Sequence, residues 1–557
     1  MSSHKCRFTA AEAIAILHED SDIDETDDLE DMPEEVLQVR ESDTSSDEDL
    51  YDADDAGSSS DHHSDCESSS SVQYTARNGE TWTPLLCART VRSNPANLVR
   101  VRPGVNPSVR YKASSSPYDC WKLFVDNSIL IPIKTHTTRE ATKNDPNFHL
   151  PMEKLEAFIS LQYARGIYSK SHSVDFLWSE KYGPPIFRET MSRSDFVKVK
   201  RYIRFDNKDC RSQRLLSDKF IHIRETMEAL VSNCIRNYKP DWSLTVDEQL
   251  FPMKNRCPFI VFMPNKPDKF GMKFWVIAEV SSKYVCNILP YLGALEKDQR
   301  NGRPLAEDVV MRLTSNLDRN GGYNITTDNF FTSLNLAGLL SQRNMTIVGT
   351  VRSNSKGLPK EITRGEEEKF SSKFFYNSLR NSMLVNYQCK QKKNVNLLST
   401  MHNSPSTDAT EKKKPTVIQF YNQNKVGVDV FDQMARKYTT HAGSRRWPLA
   451  VWTNLLDIAA LNSWILYRKC SGSNISRRSF ILQLIEGLRD AYMVKRKQVV
   501  QREMKPAQRR PSGKRRKCAG QGCKNNTVTV CSHCSKPTCG VCGNGDWKLT
   551  ECKNCTT

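Results

Sequence analysis

The chain has no run of about 18 apolar residues, the length a membrane span needs, and no apolar core near Met1 of the kind that makes a signal peptide. These absences point to a soluble intracellular protein with no membrane partner. Basic residues are almost missing from Glu19–Glu67, where 22 acidic residues stand against one basic residue, Arg40, in a Ser-rich background. Such a stretch buries too little apolar surface to offset its ordering entropy, so residues 1–112 are expected to form a disordered acidic N-terminal region. The rest of the chain has the opposite balance. The whole chain carries +17, and outside the acidic stretch 80 basic residues face 42 acidic ones, a net of about +38. A body that basic suits a polyanionic partner. At 557 residues the chain is long enough for three or four domains.

Eight of the 18 cysteines follow Lys517. That crowding favours metal ligation over disulfides. Three C-x2-C pairs and one C-x4-C pair supply eight thiolates, enough for two tetrahedral zinc sites, and so short a segment has too few apolar side chains to fold without metal. Interleaved ligation would put Cys518, Cys523, Cys539 and Cys542 on one ion and Cys531, Cys534, Cys552 and Cys555 on the other.

The carboxylates suggest chemistry. Leu244, Thr245 and Val246 form a β-rich step that ends on Asp247. Glu248 follows directly, and strand alternation sends it to the opposite face, so only Asp247 is expected in a site there. Lys254, Lys266, Lys269 and Lys273 bring cations near that acid, which suits a site handling phosphate. Asn324–Asn329 is a second short strand ending in an acid, Asp328. Gly427–Gln433 carries Asp429 and Asp432 three apart, on one helical face. Two strand-end carboxylates and one helical carboxylate are suitable ligands for two Mg2+ ions in phosphoryl transfer, with Asp432 as a possible accessory. Just before a strong helix starting at Pro448, Arg445, Arg446 and Trp447 suit a nucleic acid strand through phosphate pairing and base stacking. A buried Trp447 acting as a hydrophobic staple for that helix fits the residues equally well.

The words LTVDEQ, CPF, PNKP, KFW, PYLG, NITTDNFFTS, TIVGTVRSN, GVDVFDQM and RRWP, in that order, resemble the piggyBac transposase family from roughly Pro117 to Tyr467. The resemblance implies an α/β ribonuclease-H-like (DDE/D) catalytic domain with an insertion. Flanking it would be an all-helical dimerisation and DNA-binding domain and a C-terminal cysteine-rich zinc module. On that reading 113–242 and 440–510 are the two parts of the helical domain, 243–353 and 417–439 the two parts of the catalytic domain, 354–416 the insertion, and 511–557 a basic linker with the zinc-binding domain. The strand and helix order in 243–353 agrees with a ribonuclease-H-like unit but leaves several α+β topologies open.

The resemblance further implies that Asp247, Asp328 and Asp429 hold two Mg2+ ions and that the protein is a homodimer on double-stranded DNA. It would cut terminal inverted repeats through hairpins and join TTAA targets. It also favours the DNA role for Trp447. Two departures stand out: the family's tail usually has a His where Cys542 stands, and the first cysteine pair is wider here. Lys514–Lys517 reads as a nuclear localisation signal or a DNA contact, which places the protein in the nucleus. The alternative is a domesticated, transposase-derived DNA-binding protein without mobility.

Overall fold

In the computed structural model the strand carrying Asp247 lies inside an eleven-stranded mixed sheet. The structure describes residues 72–88, 97–168, 172–293 apart from 265 and 267, 302–363, 368–503 apart from 392, 514–544, and 551–555 apart from 554. The acidic run 19–67 lies outside the described residues, as does the segment 8–18, whose amphipathic pattern suggests a short helix. Two compact units are present, Met1–Arg489 and Asp490–Thr557.

In the first unit, β1 (Tyr74–Thr75) and β2 (Thr81–Pro84) form an edge hairpin, and β3 (Gly104–Val105) pairs with β4 (Tyr238–Lys239) away from the main sheet. The sheet's centre is β5 (Ser243–Pro252), antiparallel to β7 (Phe270–Glu279). β7 pairs in turn with β6 (Ile260–Phe262) and β8 (Val285–Pro290). On its other side β5 runs parallel to β9 (Asn324–Thr327), and β9 runs parallel to β10 (Thr346–Thr350). The order β8-β7-β5-β9-β10 therefore has three antiparallel strands followed by two parallel ones. Helices Leu305–Leu313 and Leu334–Ser341 make the crossovers.

Residues 354–416, expected as an insertion, add strands to this sheet. β11 (Ser372–Asn377), β12 (Ser382–Lys390) and β13 (Lys393–Ser399) form an antiparallel meander whose last strand pairs with β10 through Val348↔Ser399 and Thr350↔Leu397. The cause is a core that only tertiary packing reveals. Met383, Val385, Tyr387 and Leu397 face Val417, Ile418 and Tyr421 of the helix Thr416–Lys425. The N-terminal boundary also shifts, because β2 pairs with β11 through Phe375↔Pro84 and Tyr376↔Thr83. Within 1–112, residues 72–88 and 97–112 are ordered enough to pack, with Trp82 fully buried.

Helices cover one end of the sheet. Ser116 caps Pro117–Trp121, its hydroxyl accepting from the Asp119 amide at 3.0 Å, and Ser192 caps Arg193–Tyr202 through Asp195 at 3.1 Å. The helix Trp447–Ser471 packs on Pro107–Ser115, Pro117–Trp121, Arg224–Asn237 and Gly427–Lys437. Tyr163 donates to the carbonyl of Leu456 at 2.8 Å and Cys120 to that of Ser463 at 3.2 Å, so the helices before the sheet and those after it share one core. Trp447–Ser471 meets the length and apolarity of a membrane span, contrary to the expectation that no such run exists. Its apolar surface is buried inside the protein. Asn462 on this helix exchanges two hydrogen bonds of 3.0 Å with Val285, closing part of the β8 edge.

Candidate active site and metal centres

The last rung between β5 and β9 is Val246↔Thr327. The next residue on each chain segment is an aspartate. Asp328 follows the end of β9 as expected, whereas Asp247 is not at a strand end: it sits mid-strand in β5, still paired with Val276 of β7, and the two acids lie side by side just beyond the last β5–β9 rung. The Phe330 amide donates to Asp328 Oδ1 at 3.0 Å, and Thr332 ties the turn by donating to the Asp328 carbonyl at 2.7 Å. That turn leads into the Leu334–Ser341 helix, which Ser333 caps.

Asp429 comes from the helix Gly427–Lys437. This helix starts hard against β5. A Cβ at Gly427 would stand 3.0 Å from Thr245 Oγ1, and Thr245 itself donates to the Asn424 carbonyl at 2.6 Å. Lys266 spans the remaining gap, its ammonium 3.7 Å from Glu248 Oε1 and 3.8 Å from Asp429 Oδ1.

Oxygens of Asp247, Glu248 and Asp328 lie within 4.8 Å of one another. Strand alternation puts Glu248 on the opposite face, and the structure corrects this. The last rung to β9 lies two residues earlier, at Val246, so the longer Glu248 side chain can turn over the open edge that strand alternation would otherwise deny it. Burial, and then the charges of Glu248, Asp328 and Asp429, hold Asp247 well above the ordinary carboxylate pKa, while Lys266 works the other way. Burial works to lower Lys266, yet Glu248, Asp247 and Asp429 hold its ammonium above the usual value. Crowded hard oxygen donors whose charges oppose one another fit a divalent cation.

The other expected site residues fall elsewhere. Asp432 turns to structural work: Gln249 donates to it at 2.9 Å and Arg436 pairs with it at 2.8 Å. Lys269 is exposed on the same loop as Lys266. Arg445 is exposed, whereas Arg446 donates to the carbonyls of Lys200 at 3.2 Å and Arg201 at 2.9 Å, closing the end of the Arg193–Tyr202 helix. Trp447 is only 8% exposed and packs among Phe220, His222 and Phe259. In this conformation its indole is not presented to a base, which favours the staple over the stacking role.

The second unit is organised by its cysteines. β14 (Arg516–Lys517) pairs with β15 (Asn526–Thr527), and β16 (Gly543–Asn544) pairs with β17 (Glu551–Cys552). Two thiol clusters result, Cys518–Cys523–Cys539–Cys542 and Cys531–Cys534–Cys552–Cys555, the same interleaved sets the spacing suggests. Tetrahedral zinc with Zn–S near 2.3 Å places sulfurs about 3.8 Å apart. Cys523 and Cys539 Sγ are 3.7 Å apart, and Cys534 and Cys552 Sγ 3.6 Å. Amides of Cys534 and Cys552 hold Cys531 down to about 6, and Asn525 and the Val541 amide do the same for Cys539. Neighbouring cysteines push Cys542 and Cys555 the other way, up to about 12, a crowding of thiols that a bound cation relieves.

A family model described as Transposase IS4 matches residues 116–464. The human PiggyBac transposable element-derived protein 3 is 23% identical over 408 residues, 69% of this chain and 67% of its own length. The human PiggyBac transposable element-derived protein 2 is 22% identical over 373 residues, 64% of this chain and 62% of its own length. Among solved structures, a cryo-EM piggyBac transposase synaptic complex with hairpin DNA is 28% identical with a TM-score of 0.67. The match covers 82% of this chain and 100% of that one.

Proposed function

The chain belongs to the Transposase IS4 family, in its piggyBac branch, and from that premise we propose that it is a cut-and-paste DNA transposase. The observation that carries the reading is the meeting of Asp247 and Asp328 just beyond the last rung between parallel β5 and β9, with Asp429 held nearby through Lys266. The β8-β7-β5-β9-β10 order supports a ribonuclease-H-like catalytic core. The DNA in the solved relative supports double-stranded DNA as the partner.

In this reading water attacks the phosphodiester at the transposon end and the 3′-oxygen leaves. The freed 3′-hydroxyl attacks the opposite strand and closes a hairpin, which is reopened before the end joins a TTAA target. Asp247, Asp328 and Asp429, with Glu248 beside them, would hold two Mg2+ ions, which supply charge stabilisation to the attacking and leaving oxygens. The amide-fixed turn after Asp328 keeps that carboxylate oriented, and Lys266 and Lys269 lie where backbone phosphates would approach. The protein acts as a homodimer in the nucleus, and the cysteine module, with its exposed Lys514–Lys517 entrance, reads the terminal repeats. The second reading, a domesticated DNA-binding protein, draws on relatives named as derived from transposable elements. Matching inverted repeats bounded by TTAA around the coding sequence would decide against it.

The test is nicking of a duplex ending in such a repeat, in Mg2+, by the full chain. The wild type should nick, while Asp247→Asn, Asp328→Asn and Asp429→Asn should bind the duplex and leave it whole. An Asn variant that nicks at near wild-type rate removes that residue from the site.

A further inference from the structure

A cleft of about 540 Å3 opens between β8 and the C-terminal end of the Leu305–Leu313 helix. Four arginines line it, Arg303, Arg312, Arg319 and Arg343, and no carboxylate does. Arg343 is 9% exposed. Its Nη2 donates to the carbonyls of Thr314 and Ser315 at 3.0 and 3.1 Å and its Nη1 to Thr314 Oγ1 at 3.1 Å, which fixes the cleft floor, while its Nε is buried with no hydrogen-bond partner. Burial and then the charge of Arg319 hold Arg343 below its ordinary pKa, a sign of like charges crowded together. Arg303 and Arg319 are exposed at the rim, beside exposed Ser315 and Asn316.

The cleft lies apart from the carboxylates. Asn287, which lines it, pairs with Ile277, and Ile277 pairs with Val246 of β5, the neighbour of Asp247 inside the paired sheet. Strand alternation therefore puts the cleft on the sheet face opposite Asp247. Arg312 is paired to Asp308 at 3.7 Å, which leaves the exposed Arg303 and Arg319 forks, with their polar neighbours, to match phosphodiester oxygens. The opening is also wider than one small oxyanion requires.

We propose that this cleft is a second nucleic-acid site, holding the phosphodiester backbone of a duplex away from the bond being cut. The inference rests on the DNA-acting reading above. A strand anchored here adds affinity without sequence preference, because only phosphates are held.

The experiment measures binding of the full chain to a labelled duplex by anisotropy across a salt series. Arg303→Gln with Arg319→Gln should lower affinity about tenfold at physiological salt and flatten the log–log salt slope by about 2, one unit for each phosphate no longer neutralised. Arg303→Lys with Arg319→Lys should keep most of the slope. An unchanged slope in the Gln pair overturns the proposal, as does a weakening that the Lys pair shares in full, which marks a structural role. A line-broadening titration with inorganic phosphate completes the test. Phosphate bound by the wild type and not by the Gln pair, with duplex affinity unaltered, would assign the cleft to a free oxyanion and overturn the proposal. Failure of the transposase reading looks different, since wild type would then bind no duplex or nick none.

Discussion

The indole of Trp447 stacks on the ring of Phe220, centroids 5.6 Å apart and planes 28° from parallel. Phe259 meets the same indole edge-on at 5.8 Å. The first helical residue of Trp447–Ser471 is thereby plugged into an aromatic pocket built by the segments before Arg224 and after β5.

Trp447→Ala is therefore expected to cost about 3–5 kcal/mol of stability, the range for removing a large buried aromatic. Trp447→Phe should recover more than half. Urea denaturation monitored by circular dichroism checks both. A Trp447→Ala chain as stable as wild type that fails only on DNA would return the indole to a base-stacking role.

Asp429 and Asp432 share a helix face but not a task. Asp429 is 62% exposed and reaches Lys266, whereas Asp432 is held by Gln249 and Arg436. Asp432→Asn should lower stability by about 1–3 kcal/mol and leave most of the nicking, because it disrupts a partly buried network and no site oxygen. Glu248→Gln, by contrast, should cut nicking about 10–100-fold with little change in stability, as a substitution beside metal ligands does. Parallel thermal melts and Mg2+-dependent nicking separate the two. Equal drops in activity in both variants would merge Asp432 with the site.

What can be read in the chain is local. The caps at Ser116 and Ser192, the acid that follows β9 and the interleaved cysteines all depend on spacings of a few residues, whereas the strand of Asp247 runs on to Pro252, past the end its sequence suggests. The Asn127–Thr142 helix is not legible because Pro132 sits inside it among β-branched Ile and Thr, so its formation is owed to burial of Ile129, Leu130 and Ile133. The extension by β11–β13 is hidden for a different reason. Lys-rich surface positions look like a solvated insertion, and the rung to β10 joins residues about fifty positions apart. Glu248 shows the limit of strand alternation, which holds inside a sheet and lapses where a neighbouring strand stops.

Asp457 gives a pH prediction. It is buried in the Trp447–Ser471 helix, and burial pushes its pKa up to about 7 despite hydrogen bonds from Thr439 and Thr440 and the charge of Arg477. An unfolded Asp titrates near 3.9. Between about pH 4 and 7 the folded chain keeps a proton the unfolded chain has released, so this residue's contribution to stability falls as pH rises. Asp457→Asn abolishes that dependence. Its melting temperature relative to wild type should rise between about pH 5 and 8, and a gap that stays constant or narrows the other way would show that Asp457 titrates normally.

The cysteine module should carry two zinc ions, and the two thiol sets make the assignment testable one ion at a time. Cys518→Ser with Cys539→Ser should leave about one zinc per chain, and so should Cys531→Ser with Cys552→Ser, while the four-fold change should leave none. The reason is geometric. Each set brings four sulfurs within 4.8 Å, and neither set lends a ligand to the other. Structural zinc binds with about 10–16 kcal/mol, far more than this short unit's few buried side chains supply, so a strong chelator should unfold it. Metal analysis of the full-length chain, with limited proteolysis after chelation, reads both effects. Disappearance of both ions on changing a single set would mean a shared cluster, and a proteolysis-resistant module without metal would mean that its strands fold unaided.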